Sequence, residues 1–596
     1  MKYFSALCLV LFSLSGFSQE FKISDWFNEK ANSVVQLSPD GKLVAWLTYN
    51  NRILIQPIDK GASRSIQLSA GQRFIDGQFI NDEKFVYVVQ DGDEYRVISH
   101  YLPNATQKLL YTSRFFKVSL AQEHRKSEVV WLIVNGQLKP FDLLSRSLGK
   151  AVPLPKNSQF VGLANNKPCY SISDTKDVFI LKENEWKKFE PVESISQVYA
   201  DKDCHNFWIL ATHEKNTKSL FRVTSKKSEL IYSQKYYDIA DVIFDSNKKN
   251  VAAVFYEAEL LQVKTFSKNA QKIDSIMQRS FPKSYWQVIA QSVDGKKSLV
   301  SVQSPKIPPQ VIWTDVETNR VVSLQRRLQN YDKSRWYKTS VVSVDNGAKP
   351  ALFGYLTQPD KLNSHVPLII RIHGGPFEIR DRWRFDPEAQ WLADQGLATL
   401  TFNYRGSSGM GNAYRRVAYG DLRSVIEEDI EEILTALESQ FNYDPVKRCL
   451  YGASFGGYAV LSELISNSDD YVCGIMVSSV VSLPMFYESL SDEMTKATFA
   501  KQFGNYDDPD WREENNLLLH LGEIDATTLV IYGNQDKRVS PLQSEALIAK
   551  MKILKKPFTV KKLENSDHEI EVLEDRLAVY KSIQQFLQEH LLKSLK

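Results

Sequence analysis

Near residue 335 the hydrophobic period of this 596-residue chain changes, and no single layered core accommodates both halves. Before that point, short β-like runs come in pairs separated by turns. After it, buried-strand runs alternate with amphipathic helices. At roughly 100–200 residues per domain, a chain of this length holds two or more domains.

The paired runs extend from about residue 35 to 330. Among them are Leu43–Tyr49 with Arg52–Ile58, Lys84–Gln90 with Tyr95–Leu102, and Ser298–Ser304 with Gln310–Val316. Asp-Gly turns punctuate the array at Ser38-Pro39-Asp40-Gly41-Lys42 and Ser292-Val293-Asp294-Gly295-Lys296. An Asp-Gly step signals a hairpin, because both central positions of such a turn want positive φ. About seven units of roughly 40 residues fit the stretch, the period of propeller blades. No Trp-Asp signature marks the repeats, and a pair of β-sandwiches or a β-helix has a similar pattern. Aromatic residues, 12% of the chain, suit a β-rich half.

The second half has strand runs at Val366–Ile372, Leu397–Tyr404, Arg448–Gly452, Cys473–Ser478 and Thr527–Tyr532. From Val425 to Phe441, Ile426, Ile430, Ile433, Leu434 and Leu437 recur at helical spacing. Glu427, Glu428, Glu431 and Glu432 fall on the opposite, solvated side. Alternation of this kind predicts an α/β sheet with parallel strands.

Within that region, Leu450-Tyr451-Gly452 ends a strand and Gly456-Gly457-Tyr458 begins a helix. Between them lies Gly-x-Ser-x-Gly, with Ser454 at its centre. Such a strand-to-helix turn lifts a serine hydroxyl above the sheet, which makes Ser454 a candidate nucleophile. A serine hydroxyl needs a base. In this fold class the chain order is serine, acid, histidine. His520, His568 and His590 follow Ser454; only His568 lies in a loop just past a strand-like run, Phe558–Leu563. Asp536 lies just past Thr527–Tyr532 and is the candidate orienting acid. Asp525 precedes its strand, and Asp567 adjoins His568 in sequence. The His373-Gly374-Gly375-Pro376 segment follows Val366–Ile372 and has the pattern of an oxyanion loop. The amides of Gly375 and Phe455 are its candidate donors, and His373 reads as structural.

Taken together these residues resemble the prolyl oligopeptidase family of serine peptidases, and within it the acylaminoacyl-peptidase-like group. The segments that carry the resemblance are His373–Pro376, Asn403-Tyr404-Arg405-Gly406-Ser407-Ser408-Gly409, Gly452–Tyr458, Asp536-Lys537-Arg538-Val539 and His568. The resemblance implies a fold of two parts, an N-terminal β-propeller of about seven blades at 35–333 and a C-terminal α/β-hydrolase domain at 334–596. It further implies that a segment at 19–34 packs on the hydrolase, and that Arg538 lies near the substrate. It leaves Val480, Val481, Phe486 and Tyr487 as either pocket lining or plain core. Two positions depart from the family pattern: Asp567 precedes the histidine where glycine is common, and Tyr532 replaces a common histidine. The propeller half lacks the paired glutamates with which one branch reads a free N-terminus, which argues against its proline-cutting dipeptidyl peptidases.

Residues 1–18 read as an export signal, with Lys2 followed by an apolar run from Tyr3 to Leu14. That run is too short to span a bilayer, and a soluble periplasmic or extracellular protein is expected. Cys169, Cys204, Cys449 and Cys473 fit no zinc spacing. Cys169 and Cys204 could pair across neighbouring strands or be buried thiols. A net charge of +3 gives no footprint for nucleic acid or acidic membranes. No metal or cofactor is implied. The expectation is an exported serine peptidase acting on oligopeptides. Its rivals are a carboxylesterase, aminopeptidase-type exo-cleavage, and a binding module with a silent hydrolase.

Overall fold

The computed structural model describes Ile23 and residues 33–592, except 49, 115–117, 122–128, 165–166, 174–176, 183–184, 190–194, 202, 225–226, 246–248, 327–335 and 444. The export signal, and the 19–34 segment apart from Ile23, Ser33 and Val34, lie outside the described residues.

Among the described residues, the first half forms seven separate antiparallel sheets, at 33–67, 72–113, 118–153, 158–188, 195–232, 239–265 and 285–326. In nearly every sheet, consecutive strands are hydrogen-bonded neighbours, so each sheet is a local meander. This is the seven-bladed propeller, not a sandwich or β-helix. Apolar clusters join adjacent blades. Leu37, Val44 and Trp46 of the first pack with Leu299 and Trp313 of the seventh, which closes the ring.

The two Asp-Gly turns meet at this closure. The Val293 amide donates to the Pro39 carbonyl at 2.9 Å, and the Trp313 indole donates to the Gly41 carbonyl at 2.8 Å. The turns differ from the hairpin geometry expected of Asp-Gly, since only Gly41 (φ 74°) and Gly295 (φ 69°) take positive φ. Asp40 instead accepts the Lys42 amide (3.0 Å) and the Ser38 hydroxyl (2.8 Å) on its carboxylate. A side-chain-capped turn of this kind needs positive φ at one residue only.

The sixth sheet has three strands, followed by a helix at Lys268–Ser280 that the strand-like reading of this half did not include. Ser267 caps it by accepting the Ala270 amide at 3.1 Å. The helix buries Ala270, Ile273 and Met277 beside Phe255 and Trp286.

The second half is built on one eight-stranded sheet. We number its strands β1 (Lys338–Ser343), β2 (Phe353–Gln358), β3 (Leu368–Ile372), β4 (Ala398–Phe402), β5 (Arg448–Ala453), β6 (Cys473–Val477), β7 (Thr527–Gly533) and β8 (Phe558–Leu563). Their spatial order is β1-β2-β4-β3-β5-β6-β7-β8. The β1–β2 and β2–β4 pairs are antiparallel; the others are parallel. Strand alternation sends Leu450, Met476 and Val530 to a core under the helices at Leu422–Phe441, Phe455–Ser466 and Pro541–Leu554. The neighbouring residues Cys449, Ile475 and Leu529 face the opposite core, with the helices at Pro387–Asp394 and Leu573–Leu587. Ile23 also packs against this second core. This is an α/β-hydrolase fold, and its strand order reverses between β3 and β5, where ligands bind in open α/β sheets.

Both pairs of remaining cysteines are disulfides: Cys169–Cys204 in the propeller and Cys449–Cys473 between β5 and β6. Cys449 and Cys473 are register partners in the parallel β5–β6 ladder, with Cα atoms 4.7 Å apart.

Candidate active site

Ser454 follows β5 directly and precedes the helix Phe455–Ser466, with φ 55° and ψ −123°. Few L-residues adopt such a backbone, and it persists only where the surroundings over-determine it. Here they do: the Ser454 amide donates to the Val477 carbonyl at 2.8 Å, and its carbonyl accepts from Val480 at 3.3 Å. Close approach explains the neighbouring glycine. A Cβ on Gly456 would lie 2.2 Å from the Ile372 carbonyl oxygen of β3.

The His373–Pro376 loop after β3 packs on this turn. A Cβ on Gly374 would come within 2.9 Å of the Ala453 carbonyl oxygen and 3.7 Å of the Phe455 amide nitrogen. The loop is braced from behind by His373. Its Nδ1–H donates to the Gly374 carbonyl (2.9 Å), so its Nε2 accepts the Ser407 hydroxyl (2.8 Å). Its ring stacks on Tyr404 at 4.4 Å, and the Tyr404 hydroxyl donates to the His373 carbonyl. Burial lowers the His373 pKa, which favours this neutral form.

Asp536 lies past β7 and His568 past β8. The His568 Nδ1 is 2.7 Å from the Asp536 carboxylate. Asp536 is buried, and its other oxygen accepts the amides of Arg538 (2.8 Å) and Val539 (2.9 Å). That leaves the carboxylate fixed and aimed at one imidazole nitrogen. The competing groups are engaged elsewhere. Asp525 is exposed beside Lys556, His520 meets the Glu513 carbonyl, and His590 packs on Phe586 in the C-terminal helical turn. Asp567 is exposed.

Arg538 is exposed and ion-paired with Glu569 at 2.6 Å. Val480 and Val481 are buried in the core below the Ser454 turn. Phe486 and Tyr487 are half-buried against Phe499, in an aromatic cluster that reaches Phe455 through Phe503. Sequence reasoning did not mark Gln543. Its buried amide accepts from the Val481 and Ser482 amides and donates to the Ser482 carbonyl, which ties down the loop after β6. A glutamine among the apolar positions of Pro541–Leu554 was the available signal.

The two halves meet around the loop after β3. The Arg380 guanidinium donates to the Glu257 and Ala258 carbonyls of the propeller, at 2.9 and 3.0 Å. Arg382 pairs with the Glu257 carboxylate, and the Trp383 indole donates to the Lys283 carbonyl.

Residues 383–594 match the model of the prolyl oligopeptidase family. Among curated proteins, dipeptidyl aminopeptidase BIII of Pseudoxanthomonas mexicana is 24% identical over 409 residues, covering 63% of this chain and 57% of that protein. Dipeptidyl peptidase family member 6 of Caenorhabditis elegans is 21% identical over 406 residues, covering 61% of this chain and 53% of that protein. The chain thus spans little more than half the length of these relatives. Among solved structures, the Pyrococcus horikoshii acylaminoacyl peptidase superposes with a TM-score of 0.70 at 15% identity, covering 95% of this chain and 97% of that one. A puromycin-hydrolyzing peptidase of Mycobacterium tuberculosis gives 0.69 at 16% identity, covering 94% of each chain. At such identities the superpositions establish the fold: a propeller joined to an α/β-hydrolase.

Proposed function

We propose that the chain is a serine peptidase of the prolyl oligopeptidase family, whose model matches residues 383–594, and that it hydrolyses oligopeptides through an acyl-enzyme on Ser454. The observation that carries the reading is the 2.7 Å hydrogen bond between His568 Nδ1 and the buried Asp536 carboxylate. An imidazole held in that tautomer presents Nε2 as the base. Ser454 Oγ attacks the scissile carbonyl and His568 takes its proton. The oxyanion is met by the Gly375 and Phe455 amides. His568 then returns the proton to the leaving amine, and water cleaves the acyl-enzyme by the same steps in reverse.

The interdomain clamp through Arg380 supports oligopeptides over folded proteins as substrates, since the propeller is held over the loop after β3. The names of the relatives support aminopeptidase-type cleavage, dipeptidyl or acylaminoacyl. Export rests on Lys2 and the apolar run Tyr3–Leu14, and two disulfides suit an oxidising compartment. Among the described residues, no helix is long and apolar enough to cross a membrane. We also assign 19–34 to the hydrolase side of the boundary, as the Ile23 contact suggests.

The test is fluorophosphonate labelling with adduct mapping, beside turnover of peptide anilides and p-nitrophenyl esters. Labelling of Ser454 with peptide turnover is expected. Ester turnover without any peptide cleavage would make the protein a carboxylesterase, and no adduct at Ser454 would end the reading.

A further inference from the structure

Two cavities, of about 460 and 490 Å³, lie between the fifth and sixth blades and the loops after β3 and β4. They share Lys218, Asp238, Glu378, Ser408 and Gly409 in their walls, so they adjoin and present one set of side chains to the space between the two halves. Each has the size of a ligand site. Glu378 is three residues from Gly375, which puts their Cα atoms within about 11 Å of each other. An extended peptide advances about 3.3 Å per residue, so the space begins within three or four residues of the scissile bond.

The walls of this space are cationic. Six basic side chains line it: Lys218, Arg380, Arg382, Arg384, Arg415 and Arg416. Three carboxylates face them, and these are mostly engaged. Glu378 pairs with Arg415 at 2.5 Å, and Glu257 is shared between Arg382 and Arg384. Asp238 accepts the Lys218 amide at 2.8 Å, and burial raises its pKa. Arg380 spends its donors on carbonyls, while the Asp238 and Asp381 carboxylates lie near enough to feel its charge. Neither Lys218 nor Arg416 has a carboxylate within ion-pair distance among the described residues. Arg384 and Arg415 each keep a buried Nε without a partner. A half-enclosed space of net positive charge, with guanidinium donors still free, recognises carboxylates.

We infer that this space is a carboxylate subsite, which selects oligopeptides bearing an anionic group within a few residues of the cleaved bond. The inference rests on the peptidase reading above. Two sources supply the same chemistry: the C-terminal carboxylate of the peptide, or the side chain of an Asp or Glu residue.

Binding to the Ser454→Ala protein tests it without requiring turnover. Fluorescently labelled alanine-based hexapeptides are compared in three pairs: free against amidated C-terminus, Glu against Gln within the sequence, and free against acetylated N-terminus. At least one carboxylate-bearing peptide is expected to bind about tenfold tighter than its neutral partner. That gap should narrow between 0.05 and 0.5 M salt as screening grows. The first pair identifies a C-terminal carboxylate as the source, and the second an acidic side chain. Arg416 is exposed, so Arg416→Glu should fold, as a melting curve would confirm, and should bring the discrimination towards one. Equal binding within both carboxylate pairs overturns the inference, as does preference in the free-amine pair alone, which would assign the space to Asp238 and Glu378. Fluorophosphonate labelling of the wild type is scored separately. Labelled Ser454 with no carboxylate preference sinks only the subsite, whereas unlabelled Ser454 sinks the peptidase reading.

Discussion

In the propeller, non-glycine residues with positive φ sit mostly in turns between strands: Asn51, Asn135 and Asn319 at hairpin tips, and also Ala105, Arg146, Glu214 and Lys215. In the hydrolase domain, Ser454 and Ser478 have positive φ immediately after β5 and β6, and Ile570 has it two residues beyond His568. Asparagine tolerates this conformation at little cost, because its side chain bonds the local backbone. Serine and isoleucine do not, and each such residue costs on the order of 1–3 kcal/mol. The propeller thus places its positive-φ residues mostly at exposed chain reversals, several of them asparagines that bear the conformation at little cost. The hydrolase domain holds unsuitable ones where the candidate active site lies, and the surrounding sheet bears the cost. Strain that persists against residue preference marks the positions where geometry was selected over stability.

Substitution at Ser454 tests that contrast most severely. Ser454→Ala and Ser454→Gly should each lower kcat/KM on a peptide anilide by roughly 10⁴-fold or more. The two should differ in stability. Glycine relieves the φ 55° backbone and alanine does not, so Ser454→Gly should unfold at higher urea, by about 1 kcal/mol. Equal stability of the two would break the comparison.

Glycine replacement sharpens it next. Gly456→Ala forces a Cβ to within 2.2 Å of the Ile372 carbonyl oxygen, against Ile372–His373 backbone that cannot yield as a flexible side chain would. A loss of about 3 kcal/mol or more, or failure to fold, is expected. Gly71, at a propeller turn with φ 85°, has open space around its Cβ direction. Gly71→Ala should cost only about 1 kcal/mol, from the backbone alone. Thermal melts of the two variants give the ratio.

Buried carboxylates carry the contrast into pH. Glu463, in the helix Phe455–Ser466, accepts the Tyr471 hydroxyl and the Asn467 amide on one oxygen, while its other oxygen has no partner. Burial pushes its pKa up to about 7. Because the folded value lies above the unfolded one, the native state binds the extra proton between about pH 4.5 and 7. Stability contributed by the protonated acid is therefore lost as pH rises through that window, on the order of 3 kcal/mol. Glu463→Gln should flatten this fall. Urea denaturation at pH 5 and pH 8 measures it, and an unchanged slope would place the pH dependence in other groups, Asp429 first.

Ser454, Asp536 and His568 could be put forward as candidates because each follows a strand at its carboxyl end, a pattern that survives in one dimension. The blades were legible because each is a local meander. What escaped depended on contacts between distant segments. Cys449 and Cys473 come together only through the register of two parallel strands. The β1 and β2 strands and the Lys268–Ser280 helix carry short or mixed apolar patterns that resemble their surroundings. The Ser407–His373 bond joins two loops 34 residues apart. His373 was recognised as structural, but its partner could not be read from spacing.

Arg538 gives the smallest expected effect. Its guanidinium and the Glu569 carboxylate are both more than half exposed, so solvent and salt screen their attraction. As an ion pair alone, Arg538→Ala should change stability by less than about 0.5 kcal/mol. A substrate role separates from this in kinetics. If Arg538 binds a peptide carbonyl, KM for peptide anilides should rise severalfold while small-ester turnover stays level. If both substrates respond equally, Arg538 belongs with the surface ion pairs of the propeller, such as Arg320–Asp59, and not with the site that Asp536, two residues before it, helps to form.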